Sequence, residues 1–208
     1  MGVSVSEALQ QLVMSVTDIL GHDDPRGDRG APGSIAVPLA ELRDRLAAAL
    51  QQPGLVPGGL REPVLPPTGV GTYLLHDGDG FVVFATVTAP GAVMPAHEHG
   101  SWGMVGLYQG QEEEISYMPV ESDSADAAVG LVETRRWVYG PGEVAIIDPP
   151  RWDIHHVINR DRVNSIAVHL FARDLVREGF RLYAPTYGPT KLGPQDYQPL
   201  PAGDPAPT

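Results

Sequence analysis

The residues best suited to chemistry in this sequence are histidines, and two stretches concentrate them. The first runs from Pro90 to Gly110 and is centred on His97-Glu98-His99. On a strand, successive side chains alternate faces, so His97 and His99 point the same way and Glu98 points away. Two imidazoles on one face can hold one metal ion. The flanking glycines and prolines read as turns, and Val105 to Tyr108 reads as a further strand. A lone His-x-His pair fits a surface or a satisfied core equally well, so a second stretch carries weight. It runs from Gly140 to Asn159, with a turn at Gly140-Pro141-Gly142, an apolar strand from Val144 to Ile147 and a Pro-Pro turn. His155-His156-Val157-Ile158-Asn159 follows.

Together the two stretches resemble the paired motifs of the cupin superfamily, small β-barrels that hold a metal inside. The resemblance rests on Gly91 before His-x-His and Gly110 after it, with Gly142 and Pro149 before the late histidine and Asn159 after it. It covers residues 70 to 172 and implies a metal held by His97, His99 and His155. Most cupins add a carboxylate four or five residues after the second histidine. Gly103 and Met104 occupy those positions here, and neither is a hard ligand. Glu112, Glu113 and Glu114 lie beyond the Gly110 turn and belong to the next strand. A three-histidine site is therefore expected. Fe(II) held by three neutral ligands keeps its charge and has facial positions free for substrate and dioxygen. Three histidines also suit Zn²⁺ with a bound water, and Ni and Mn are further alternatives, so the ligands alone do not name the metal.

Loss of the carboxylate is a feature of the thiol dioxygenases, the cysteine dioxygenase-like branch of the cupins, and other strings resemble that branch. Its late ligand sits in His-x-Val-x-Asn, matched by His155 to Asn159. One strand later it carries Ser-x-His-x-Tyr, and the matching string here is Ala167-Val168-His169-Leu170-Phe171. Only the central histidine is kept, which makes His169 the candidate catalytic residue. Met104 stands where some members have a cysteine cross-linked to the tyrosine. The arginine that holds a cysteine carboxylate would fall at Leu75, two residues after Tyr73. His97-Glu98-His99-Gly100-Ser101-Trp102-Gly103 with a later arginine is closer to 3-mercaptopropionate dioxygenase-like proteins. Among Arg173, Arg177 and Arg181, that spacing favours Arg181 as a carboxylate anchor. The resemblance implies oxidation of a small thiol by dioxygen to a sulfinate. The alternative is a metal-binding cupin with lyase or isomerase chemistry, or a small-molecule binding role.

Other residues have blander readings. His156 should face away from His155 and pack or meet solvent. His169 fits either an ordinary core position or the cavity wall. His22 and His76 lie in or beside loops. Trp102, Trp137 and Trp152 read as barrel packing, although Trp102 is near enough to the ligands to contact substrate. Arg135-Arg136 fits a solvated strand face, and Arg181 fits a solvated helix or tail.

Elements must bring these residues together. Residues 5 to 20 read as an amphipathic helix, with Leu9, Leu12, Val13, Val16, Ile19 and Leu20 on one stripe and Ser4 with Glu7 as a capping box. Gly21 to Gly33 is a loop. A second helix fits 38 to 51, and Gln52 to Pro67 is a connector. Eight short strands follow, at 73–76, 81–88, 105–108, 113–118, 129–138, 144–147, 155–159 and 165–171. The fold class is therefore mainly β, a cupin double-stranded β-helix (jelly-roll barrel) with two N-terminal α-helices. The domain reading is a helical segment and connector over 1–67, the barrel over 68–183 and a Pro/Gly-rich tail over 184–208. Glu121 to Asp126 reads as a solvated acidic turn, and the tail past Tyr183 as an extended strap or partly disordered chain.

Composition narrows the function classes. A chain of 208 residues can bury a sizeable single core. A net charge of −12 argues against nucleic acid as a partner. With no cysteine, disulfides and thiol nucleophiles are out. The N-terminus shows no basic segment followed by an apolar run, so the expectation is a cytoplasmic protein without signal peptide or membrane span. Met1-Gly2 with Ser6 matches a loose myristoylation pattern by chance. The partners expected are a small-molecule substrate and dioxygen.

Overall fold

The computed structural model describes residues 6–21, 37–63, 65–78, 80–120, 130–149, 153–184, 188–191 and 197–198. Ser4, His22, most of the loop after Gly21, the Glu121 to Asp126 turn, Trp152 and most of the tail lie outside the described residues.

Two helices come first, α1 (Glu7–Leu20) and α2 (Leu39–Leu50). The N-cap of α1 is Ser6, whose hydroxyl accepts from Leu9 N at 3.1 Å, so the cap falls two residues after the one expected. Leu9, Leu12 and Val16 of α1 pack with Leu42 and Leu46 of α2 over one face of a sheet.

Nine strands follow: β1 (Val70–Gly78), β2 (Phe81–Thr88), β3 (Val93–Glu98), β4 (Gly103–Gln109), β5 (Glu112–Val120), β6 (Gly130–Tyr139), β7 (Val144–Ile147), β8 (Ile154–Asn159) and β9 (Ser165–Phe171). A short helix α3 (Leu175–Glu178) and strands β10 (Arg181–Ala184) and β11 (Gly188–Lys191) complete the described chain. The pairing makes β2 to β9 the two arms of one long antiparallel hairpin. β2 pairs with β9, β3 with β8, β4 with β7 and β5 with β6. Rolled up, this hairpin gives one sheet in the order β1-β2-β9-β4-β7 and another in the order β11-β10-β3-β8-β5-β6. That is jelly-roll order, with both sheets antiparallel.

Three strands exceed the eight read from the strand list. β3 contains Pro95 and an exposed Val93, which blur its alternation. β10 ends the stretch read as barrel and β11 falls where proline and glycine predict a strap; β10 finds an open edge on β3 and β11 pairs with β10. Strands β2 and β9 are buried on both faces. On β9, Ile166, Val168 and Leu170 meet the helices, while Ala167, His169 and Phe171 turn inward. On β2, Val83, Ala85 and Val87 meet the helices, and Phe84, Thr86 and Thr88 turn inward. The inward faces of both sheets enclose a cavity.

Candidate metal centre

His97 and His155 are direct cross-strand partners on β3 and β8. His99 sits just past the end of β3. The three rings gather with centroids 4.6 to 4.8 Å apart, all buried, and one ligand atom from each lies within 4.8 Å of the others. Among the described residues no carboxylate joins this cluster.

The outer nitrogen of each ring faces an acceptor. His97 Nδ1 lies 2.7 Å from Pro95 O. His99 Nδ1 lies 2.9 Å from Asp153 O and 3.1 Å from its Oδ1. His155 Nδ1 is 3.2 Å from Glu114 Oε2, without hydrogen-bond alignment. An acceptor at Nδ1 assigns the ring proton there and leaves the Nε2 lone pair facing inward. The Nε2 atoms of His97 and His155 then confront each other at 3.2 Å, an arrangement that a shared cation relieves. The donor set therefore fits a metal ion. Burial, then repulsion from His155 and His99, pushes His97 well below its ordinary range. Burial also lowers His99, against the pull of Asp153. Neutral imidazole is the form that binds metal.

Asp153 is a brace absent from the residues singled out by sequence. It accepts from His99 N at 2.6 Å and from Gly100 N at 3.1 Å. Burial raises its carboxyl, but His99 and Gly100 outweigh this and hold it below the usual range. Burial likewise works against Glu114, and the histidines with Ser116 outweigh it. Both residues carried a signal. Asp153 stands two residues before His155, and alternation puts Glu112 and Glu114 on one face of β5 and Glu113 on the other.

The missing carboxylate has a steric counterpart. Gly103 is the cross-strand partner of Phe171. A Cβ at Gly103 would lie 2.1 Å from Phe171 Cδ1, so the aromatic ring takes the room a side chain there would need. Phe171 in turn stacks on His99, with centroids 5.0 Å apart and planes 15° apart.

His169 lies on the cavity wall, stacked on Phe84 at 4.5 Å. Its Nε2 is 2.9 Å from Thr86 Oγ1. Thr86 is thus the partner that the string Ala167 to Phe171 does not supply. Burial, then His99 and His155, lowers His169 to about 3, so the ring is neutral at ordinary pH.

The cavity is small, about 70 Å³, room for roughly five waters. Its wall is largely apolar, with Phe84, Val105, Val157 and Phe180 among the lining groups. Glu112 reaches it from β5. Its Oε1 accepts from Ser165 Oγ at 2.6 Å and its Oε2 from Tyr139 OH at 3.0 Å. Burial raises its carboxyl against these two bonds.

Two expected substrate contacts lie elsewhere. Arg181 stands opposite Glu98 on β10 and pairs with it, Nε to Oε1 at 3.3 Å. Because His97 faces inward, Glu98 and its partner face away from the cavity, and Arg181 lines a neighbouring groove with Arg173 and with two residues it shares with the cavity wall, His99 and Phe180. Glu98 also accepts from Tyr183 OH. Trp102 packs on the core beneath the helices, not on the described wall of the cavity. His156 faces away from the site and is partly buried, as alternation requires. Arg136 pairs with Glu113 and Glu133 on the outer face, while Arg135 lies 3.7 Å over the Trp137 ring.

No family model matches the sequence. Among solved structures, the chain is similar to an oxalate oxidase in complex with the substrate analogue glycolate. That match has 21% identity and a TM-score of 0.40, over 51% of this chain and 52% of that one. The chain thus spans about half the length of that oxidase. A cupin superfamily protein from Desulfitobacterium hafniense is 15% identical with a TM-score of 0.36, over 53% of this chain and 90% of that one. An oxalate decarboxylase formate complex from Lactobacillus farciminis is 15% identical with a TM-score of 0.39, over 60% and 31%.

Proposed function

We propose that this chain is a cupin-type mononuclear metal enzyme that oxidises a small thiol with dioxygen. The observation that carries the reading is the three-histidine cluster without a carboxylate, aimed into a narrow apolar cavity. His97, His99 and His155 would hold the metal through Nε2. Fe(II), when bound, supplies redox chemistry and free facial positions for small ligands.

The chain's own residues do the rest. Asp153 and Pro95 O fix the rings of His99 and His97, and the Glu114 carboxylate beside His155 Nδ1 favours the proton on that outer nitrogen. Phe84, Phe171 and Phe180 exclude water from the reacting space. His169, neutral and anchored by Thr86, offers a fixed hydrogen-bonding group on the wall. In the reaction both atoms of dioxygen pass to sulfur and the thiol becomes a sulfinic acid, with no outside reductant.

The test is anaerobic loading with Fe(II), then an oxygen electrode with a panel of small thiols. Thiol-dependent oxygen uptake with a product two oxygen atoms heavier is the expected result. Stoichiometric iron binding with no uptake for any thiol would turn the reading to its rival. That rival is non-oxidative chemistry at Zn²⁺, which the same three nitrogen donors also suit.

A further inference from the structure

Among the described residues lining the cavity is a buried carboxylic acid that the ligand cluster does not use. Glu112 is 2% exposed, and its carboxylate lies on the cavity wall. Its partners Ser165 and Tyr139 donate hydrogen bonds but bring no charge. No lysine or arginine is among the described residues lining the cavity. The guanidinium groups of Arg136 and Arg160 are taken by Glu113 on the outer face. Glu112 is also outside the ligand cluster, so it is not a fourth metal ligand.

A buried carboxylate with neutral donors alone is costly, and an entering cation favours its ionised form. The cavity wall therefore carries both a cation-binding cluster of imidazoles and, outside that cluster, an acid. A ligand that matches both carries a metal-binding group at one end and a positive charge at the other. We propose that Glu112, braced by Tyr139 and Ser165, binds the ammonium group of the substrate, so that the cavity takes a short aminothiol. The thiol half of this assignment rests on the function proposed above. Arg181 lies in the neighbouring groove, paired with Glu98, and among the described residues lining the cavity itself there is no arginine or lysine to receive a thiol acid. A molecule of four heavy atoms such as 2-aminoethanethiol suits a space of about 70 Å³.

The experiment is anaerobic calorimetry on Zn²⁺-loaded protein, where no turnover occurs. The probes are 2-aminoethanethiol, the isosteric uncharged 1-propanethiol, 3-mercaptopropionate, and the sulfur-free pair n-propylamine and 1-propanol. The aminothiol should bind about tenfold tighter or more than either other thiol. Glu112→Gln should bring the three within about threefold, and Tyr139→Phe, which keeps the charge, should retain the preference. Equal affinity of 2-aminoethanethiol and 1-propanethiol for the wild type overturns the proposal, whether or not Glu112→Gln folds. Preference surviving in a folded Glu112→Gln overturns it too. The two readings fail separately. Thiols oxidised without amine preference remove the Glu112 assignment alone. Propylamine preferred over propanol through Glu112, with no thiol oxidised, supports the amine site and removes thiol oxidation alone.

Discussion

At the residue scale, the metal centre is defined by what each imidazole does with its outer nitrogen. Pro95 O and Asp153 turn the Nε2 atoms of His97 and His99 inward, and the Glu114 carboxylate stands 3.2 Å from the outer nitrogen of His155. Loss of any one ligand leaves two imidazoles, a poor facial site. His97→Ala, His99→Ala and His155→Ala should each abolish stoichiometric metal in purified protein, measured by elemental analysis, while His156→Ala should keep it. Metal lost from His156→Ala but retained by His155→Ala would overturn this ligand assignment. Asp153→Asn should weaken binding by about 10- to 100-fold in a chelator competition, because it loosens His99 without removing a ligand. Gly103→Ala should drive a methyl into Phe171 and through it into His99. A loss of about 1–3 kcal/mol in denaturant unfolding is expected from such overpacking. Unchanged stability would mean that Phe171 turns aside at no cost.

At the element scale, register decides the site. His97 opposite His155, Ser116 opposite His155 and Gly103 opposite Phe171 are all consequences of antiparallel pairing. A slip of one residue would turn every inward side chain outward. The helices contribute differently, since they cover the face of the first sheet that points away from the cavity. Leu46 of α2 is fully buried there. Leu46→Ala should cost about 2–5 kcal/mol in denaturant unfolding, yet leave metal stoichiometry intact at temperatures where the protein is folded. Loss of metal along with stability would show that the helical layer shapes the site as well as covering the sheet.

At the scale of the whole molecule, buried histidines tie stability to pH. His169 titrates at about 3 in the folded chain against an ordinary value of 6.5. Its folded-state value is depressed, so the unfolded chain binds the extra proton between these limits. Stability is fully present above about 6.5 and is lost as pH falls toward 3, at a slope of up to about 1.4 kcal/mol per pH unit for this group. Glu112 has the opposite sign, because its raised carboxyl favours the folded chain only at lower pH. In metal-free protein, denaturant unfolding at pH about 7 and about 5.5 should show His169→Phe losing about 1 kcal/mol less than wild type. Equal losses would mean that the ring takes up its proton without unfolding.

The sequence by itself determined the fold class, two helices and eight of the strands, and the histidines that gather at one point. Alternation turned His156 away from His155, periodicity named α1 and α2, and spacing placed His97 and His99 on one face. These are local patterns, set by the two-residue repeat of a strand and the 3.6-residue repeat of a helix. Gly91 and Asn159 were legible as motif residues, but only the fold shows their use. Gly91 N donates to Asn159 O at 3.0 Å, and the Asn159 side chain ties β8 to Thr88 O at 2.7 Å. Tertiary structure alone decided which distant residues meet. Thr86 beside His169, Glu112 beside Tyr139 and Ser165, and Phe171 over Gly103 each join residues on different strands. Arg181 shows the same limit in reverse, because its spacing in the chain suits an anchor while its register opposite Glu98 sends it outward. Register comes from the packing of whole sheets, and no local repeat encodes it.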